Sequence, residues 1–253
     1  LIDESHPALH SLSLSGVVVA ATLMLLFSII NMYSIRLVAR VNNVLSIPKI
    51  LIPVATAVCL IIYAFHPHNF TLVSTGGFMP GGWHGVFAGM ASGGILFAFN
   101  GFKQSIELAG EAENPTRSIV IAVVGSIIIS LIVYLLLQVA FIGSVEPKFI
   151  SAGWRFLKFP GDSGPLVGLL ALTGITWMVI LLYVDVIVAT GAAALVYTTS
   201  AARTLYGLSG NRQLPAFLQE LNGKGVPYKA VIVNFVLGMT FFMPFHGWLA
   251  MAK

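Results

Sequence analysis

The chain has 253 residues, 57% of them hydrophobic and 9% charged, with a mean hydropathy of +0.93; a soluble domain is about 25% charged and about half apolar. No core of this length consumes so much apolar surface, which excludes a water-soluble globular enzyme and leaves lipid as the solvent. The formal charge of +4 comes from scattered Lys and Arg, as in a membrane protein with basic cytoplasmic loops, and points to no nucleic acid.

A spanning helix needs about 20 mostly apolar residues. On that criterion helices are predicted near 14–33, 46–65, 85–112 with a break near 97–102, 115–143, 165–209 and 229–245. Alternation of period two is absent, so a β-barrel is not supported, and an all-α membrane bundle of about six transmembrane segments in one domain is expected. The start at Leu1, without Met or a short apolar leader, and the stop at Lys253 directly after an apolar segment are read as marks of a piece of a longer protein. Cys59, alone in an apolar run, has no intrachain partner for a disulfide.

Lys and Arg set the orientation. Arg36, Arg40 and Lys49 flank the first connection, Lys103 and Arg117 the third, and Arg203, Arg212, Lys224 and Lys229 the fifth. Lys148, Arg155, Lys158 and the terminal Lys253 fall on the other side, and the second connection, His66 to Trp83, has neither residue type. The odd-numbered connections are therefore predicted to be cytoplasmic. Asn114 supplies an N-cap side chain before Pro115, where the missing N–H costs nothing. Pro48 and Pro53 lie inside the second span, where neighbours must satisfy the freed carbonyls.

The third span carries the most information. Gly81, Gly85, Gly89 and Gly93 recur every four residues and form a smooth ridge for close helix packing. Then Phe97-Ala98-Phe99-Asn100-Gly101-Phe102-Lys103 interrupts the apolar run with an amide, a glycine and a cation. Either the helix ends at the cytoplasmic face near Lys103, or it breaks within the membrane and resumes toward Glu113. The second arrangement leaves backbone groups at depth, which is permitted where they line a cavity, and it is how many secondary transporters bind substrate. Glu107 and Glu111, in an i, i+4 row beside Ile106, Ala109 and Gly110, fit a short interfacial half-helix.

Two further residues carry charge inside spans. Asp185 stands alone between Leu166 and Ser200, and an acid at the bilayer centre costs about 2.5–3.5 kcal/mol on insertion scales. It is either a proton carrier or an acid held by a structural hydrogen bond. Lys49 lies one turn inside the second span between two prolines; it either snorkels to the surface or lines a cavity and pairs with Asp185. No H-E-x-x-H or P-loop pattern is present, and Gly207-Leu208-Ser209-Gly210-Asn211 lacks the last glycine of a nucleophile elbow. His66 and His68 have no further ligand-like partner nearby. No catalytic group, metal site or cofactor is expected.

The runs Gly94–Lys103 and Glu111–Arg117 resemble the sixth helix of amino-acid permeases of the amino acid–polyamine–organocation superfamily. Thr199–Leu208 with Leu214-Pro215 and Gly225-Val226-Pro227 resembles their eighth helix and following loop, while Leu136–Gly143 and Phe242–Trp248 look most like bacterial aspartate–proton symporter-type members. The resemblance covers the whole chain, as about helices four to nine of a twelve-helix transporter. It implies part of a leucine-transporter-like, inverted-repeat helical bundle that moves an amino acid and a proton across the bacterial inner membrane. It also implies that carbonyls at Phe97, Ala98, Phe99 and Asn100 hold the substrate amino group, an aromatic there gates it, and Gly101 permits the turn. Lys49 falls approximately where a lysine replaces a sodium ion in proton-coupled relatives; together with Asp185, read above from its lone charge, it is the expected carrier of proton coupling. Lys103 stands where many relatives carry a carboxylate, which favours acidic substrates unless the side chain points to the cytoplasm. The alternative reading is a non-transporting membrane scaffold or partner subunit from a truncated permease.

Overall fold

The computed structural model describes residues 13–71, 77–91, 94–112, 114–151, 153, 154, 157, 159 and 164–241. Gly93, Glu113, Arg155, Lys158, Lys253 and the run Phe242–Trp248, together with the predicted end of the last helix, lie outside them. The helices are α1 (Leu14–Tyr33), α2 (Ile35–Ala64), α3 (Gly82–Ala91), α4 (Ile95–Ala98), α5 (Lys103–Glu107), α6 (Pro115–Ser144), α7 (Pro147–Ile150), α8 (Pro165–Leu172), α9 (Thr176–Gly210) and α10 (Tyr228–Thr240). Short 3-10 turns fill several joints, and no strand occurs among the described residues. α1, α2, α6 and α9 are long and apolar enough to cross a membrane, and α3 with the α4–α5 segment makes a fifth where the bent pair is counted as one span. This is an all-α, multi-pass membrane protein. The most apolar window of α6 has no buried residue, so its surface is turned away from the core of this chain.

Helix ends follow local chemistry more closely than hydropathy. Ser13 caps α1 by accepting the Gly16 N–H at 3.1 Å. The polar stretch with Arg36 and Arg40, read from sequence as a connection, is helical; a single extended residue, Ser34, separates α1 from α2. Polarity there marks where the helix leaves lipid, and the winding continues. Conversely the apolar stretch 165–209 is two helices, divided by the turn Thr173–Ile175. Asn114 begins α6 as expected, with Pro115 in the first turn, but its side chain makes no cap. Its carbonyl instead accepts the Ser118 N–H at 2.9 Å.

The chain divides into two compact units, one of residues 1–44 and 191–253 and the other of residues 45–190. In the first, Ala202, Leu218, Val226, Ala230 and Val231 form the core with Met32 and Leu205 against it. Buried polar groups tie the elements together: Asn31 Nδ2 donates to the Phe27 carbonyl at 2.9 Å and the Leu195 carbonyl at 3.3 Å, and the Thr199 hydroxyl donates to Asn31 Oδ1. Asn222 fixes the loop before α10 by donating to the Met32 carbonyl at 2.8 Å.

The second unit is built around Ala57 and Leu60 of α2, Ala140 of α6, Leu169 and Leu170 of α8, and Met178 and Leu182 of α9. Close approach is needed at Gly143, where a Cβ would collide with the Phe65 ring. The Ser144 hydroxyl donates to the Leu60 carbonyl at 3.0 Å, and the His66 N–H to the Gly143 carbonyl at 2.6 Å. Along the described part of the glycine ridge, a Cβ at Gly85 would meet nothing within 4 Å, one at Gly89 would touch the Ile95 side chain at 3.9 Å, and one at Gly81 would crowd the Gly85 Cα at 3.0 Å.

Candidate functional site

The third predicted span is bent at the joint between two helices. Between α3 and the α4–α5 segment the axis bends by 46°, and Gly94 just after the bend has φ +80°, a left-handed conformation that glycine adopts without the Cβ penalty. α4 then lasts four residues, from Ile95 to Ala98. The Phe99 N–H turns back to the Leu96 carbonyl at 3.3 Å, three residues away, and Asn100–Phe102 winds as a 3-10 turn before α5 resumes at Lys103. Asn100 and Gly101 are poor helix formers, and the tighter winding falls on them. The predicted interruption at 97–102 is thus a change of helix type, and the sharpest bend lies one turn earlier.

Phe97, Ala98, Asn100, Gly101 and Lys103 are exposed along this run, Phe97 at 71%. Phe99 is half-buried, its ring meeting the Tyr134 ring of α6 edge-on at 5.3 Å. The Tyr134 hydroxyl donates to the Ala98 carbonyl at 3.1 Å. Gln104 is buried behind the run, and its Oε1 has no hydrogen-bond partner. Sequence reasoning missed both Tyr134 and Gln104. The only signal was polarity, a phenol within the apolar run 127–137 and an amide beside Lys103. One helical turn beyond Tyr134, Gln138 enters the lining of a concavity of about 550 Å³ with Phe70, Phe78, Phe141 and Trp154.

Lys49 and Asp185 belong to the same unit. Ile175, just before α9, and Met178 and Leu182 on it make a buried stripe, and Asp185, 8% exposed, is its next member. On α2 the face that packs into the same core carries Ile52, Ala57 and Leu60, and Lys49 lies one turn before Ile52. Both charges thus lie beside residues of the same hydrophobic core. Asp185 Oδ1 is buried without a hydrogen-bond partner. A buried acid with a free oxygen can take up and release a proton at that oxygen without breaking a hydrogen bond to it. Among the described residues, no group of three or more His, Cys, Asp or Glu could hold a metal ion.

Outside the spans, Lys229 holds Glu220 in an ion pair at 2.5 Å, and the Tyr228 hydroxyl donates to Glu220 at 3.3 Å. The hydrogen bond from Lys229 keeps the Glu220 carboxyl below its ordinary range.

The sequence profile of the amino acid permease family matches residues 5–250. The chain is 38% identical over 241 residues to the glutamate/serine transporter AimA of Bacillus subtilis (strain 168), covering 94% of this chain and 43% of that protein. It is 31% identical over 244 residues to the aspartate-proton symporter of the same organism, covering 95% and 46%. A vacuolar cationic amino acid transporter 4 of Arabidopsis thaliana is 25% identical over 242 residues, covering 90% and 37%. The chain thus spans less than half the length of these relatives. A profile match over nearly the whole chain and two transporters at 38% and 31% identity agree: this chain belongs to the amino acid permease family of the amino acid–polyamine–organocation superfamily.

Proposed function

We propose that this chain supplies the substrate-facing and proton-coupling core of a secondary transporter that carries an amino acid, an acidic one first, together with protons across the inner membrane of a bacterial cell. The observation that carries the reading is the broken third span. Its 46° bend and the α-to-3-10 change at Asn100–Phe102 leave peptide groups out of a regular ladder in a membrane helix, which is tolerated where they face a cavity or a cargo. Backbone groups from Phe97 to Asn100 receive the amino group, and Gly101 allows the close turn. Lys103, an exposed cation at the end of the run, attracts the side-chain carboxylate of an acidic substrate. Lys49 and Asp185 carry the coupled proton. Relatives named as glutamate/serine and aspartate-proton transporters support this substrate class, and a leucine-transporter-like rocking of one bundle against another supplies alternating access.

Uptake by the full-length protein in proteoliposomes tests the proposal, using radiolabelled aspartate, glutamate, serine and leucine under an inward proton gradient. Accumulation of the acidic amino acids, abolished by a protonophore, is the expected result; well-folded protein that accumulates none of the four overturns it. Lys103→Gln is expected to raise KM for aspartate about ten-fold, the worth of one charge-assisted contact, and to change KM for serine far less. Equal effects on the two substrates remove Lys103 from selectivity.

A further inference from the structure

Ala98 ends α4, and the final carbonyls of an α-helix have no partner within it. At this point the chain tightens into a 3-10 turn, so the Ala98 carbonyl needs a donor from elsewhere. Tyr134 supplies one from α6, at 3.1 Å. The same side chain grips the next residue as well, its ring standing edge-on to Phe99 at 5.3 Å with the planes 71° apart, a preferred aromatic geometry. One side chain thus holds two consecutive residues of the broken span, a carbonyl by its hydroxyl and an aromatic ring by its own ring. The carbonyl oxygen has two lone pairs. The phenol takes one and leaves the other for a second donor.

The geometry points to Tyr134 as a positioning residue for amino-acid binding, fixing the Ala98 carbonyl toward the cargo's ammonium group and the Phe99 ring at its side. This rests on the transport reading above. Tyr134 touches the site through Ala98 and Phe99, so its hydroxyl is expected to govern affinity and leave turnover alone. Loss of one neutral hydrogen bond is worth about five-fold in an equilibrium constant.

The test uses the full-length protein with Tyr134→Phe, which deletes the hydroxyl and keeps the ring. KM for the transported amino acid is expected to rise about five-fold, with Vmax within about two-fold of wild type. Hydrogen exchange of residues 95–107, read by mass spectrometry, is expected to quicken about five-fold, while that of residues 165–172 stays the same. An unchanged or lowered KM, or unchanged exchange in 95–107, overturns the assignment. Wild-type protein that takes up no amino acid overturns the transport reading itself, and the exchange data keep the two failures apart.

Discussion

The two compact units treat their buried polar groups differently. In the unit of residues 1–44 and 191–253, Ser28, Asn31, Thr199, Ser200 and Ser209 are buried, and every one has a hydrogen-bond partner. In the unit of residues 45–190, Thr56 and Ser144 are matched, but His66 Nδ1, Asn69 Oδ1, Gln104 Oε1 and Asp185 Oδ1 are buried and unpartnered. An unpaired buried polar atom costs about 1–3 kcal/mol, so a fold keeps several only where they serve another purpose. Two of the four, Gln104 and Asp185, belong to α5 in the bent third span and to α9. The first unit uses its buried polar groups to hold helices and loops together; the second leaves four buried polar atoms without a hydrogen-bond partner.

The sharpest way to break this contrast is Asp185→Asn, which keeps shape and removes the titrating proton. A gradient of one pH unit drives about ten-fold accumulation per coupled proton, since one unit is about 1.36 kcal/mol. The variant is expected to lose that factor and to equilibrate substrate without concentrating it, with an uptake rate that no longer follows pH. Accumulation and pH profile like those of wild type in proteoliposomes return Asp185 to a structural role.

How much of this was legible beforehand depends on the range of the interaction. Membrane class and most spans were readable because hydropathy reports directly on lipid. The continuous helix through Arg36 and Arg40 was not, because polar residues wind as well as apolar ones, and only Ser34 interrupts the ladder. The division at Thr173–Ile175 was hidden for the opposite reason, since everything around it is apolar. At the site, Phe97–Lys103 were visible as a local break in pattern. Tyr134 was not, because its contact with Ala98 spans 36 positions and nothing in either segment announces the other. Lys49 and Asp185 were each conspicuous as charges, and the hydrophobic core shared by α2 and α9 became readable only from the fold.

A matched pair of substitutions sharpens the comparison at lower amplitude. Thr199→Val removes the donor to Asn31 Oδ1 and leaves that oxygen buried and unpaired, so thermal unfolding is expected to show a loss of about 1 kcal/mol, as for hydrogen bonds between membrane helices. KM for uptake should not move. Gln104→Leu removes an oxygen that is already unpartnered; stability is expected to hold or rise while uptake falls. If Gln104→Leu destabilises as much as Thr199→Val, the two units do not differ in the way described.

The smallest effect concerns the surface of the first unit. Glu220 is fully exposed, and the hydrogen bond from Lys229 lowers its pKa in the folded state. A carboxylate whose folded pKa is depressed contributes its stability above the unfolded pKa and loses it as the pH falls through the folded value. The contribution is therefore complete at neutral pH and disappears below about pH 4, the ordinary carboxylate range. An exposed pair is also screened by salt. Glu220→Gln should lower the melting temperature slightly at pH 7 in low salt, and the gap to wild type should close on acidification or in high salt. A gap that persists unchanged at acid pH would mean that Glu220 acts through the Tyr228 hydroxyl contact and the shape of the loop, with its charge contributing nothing.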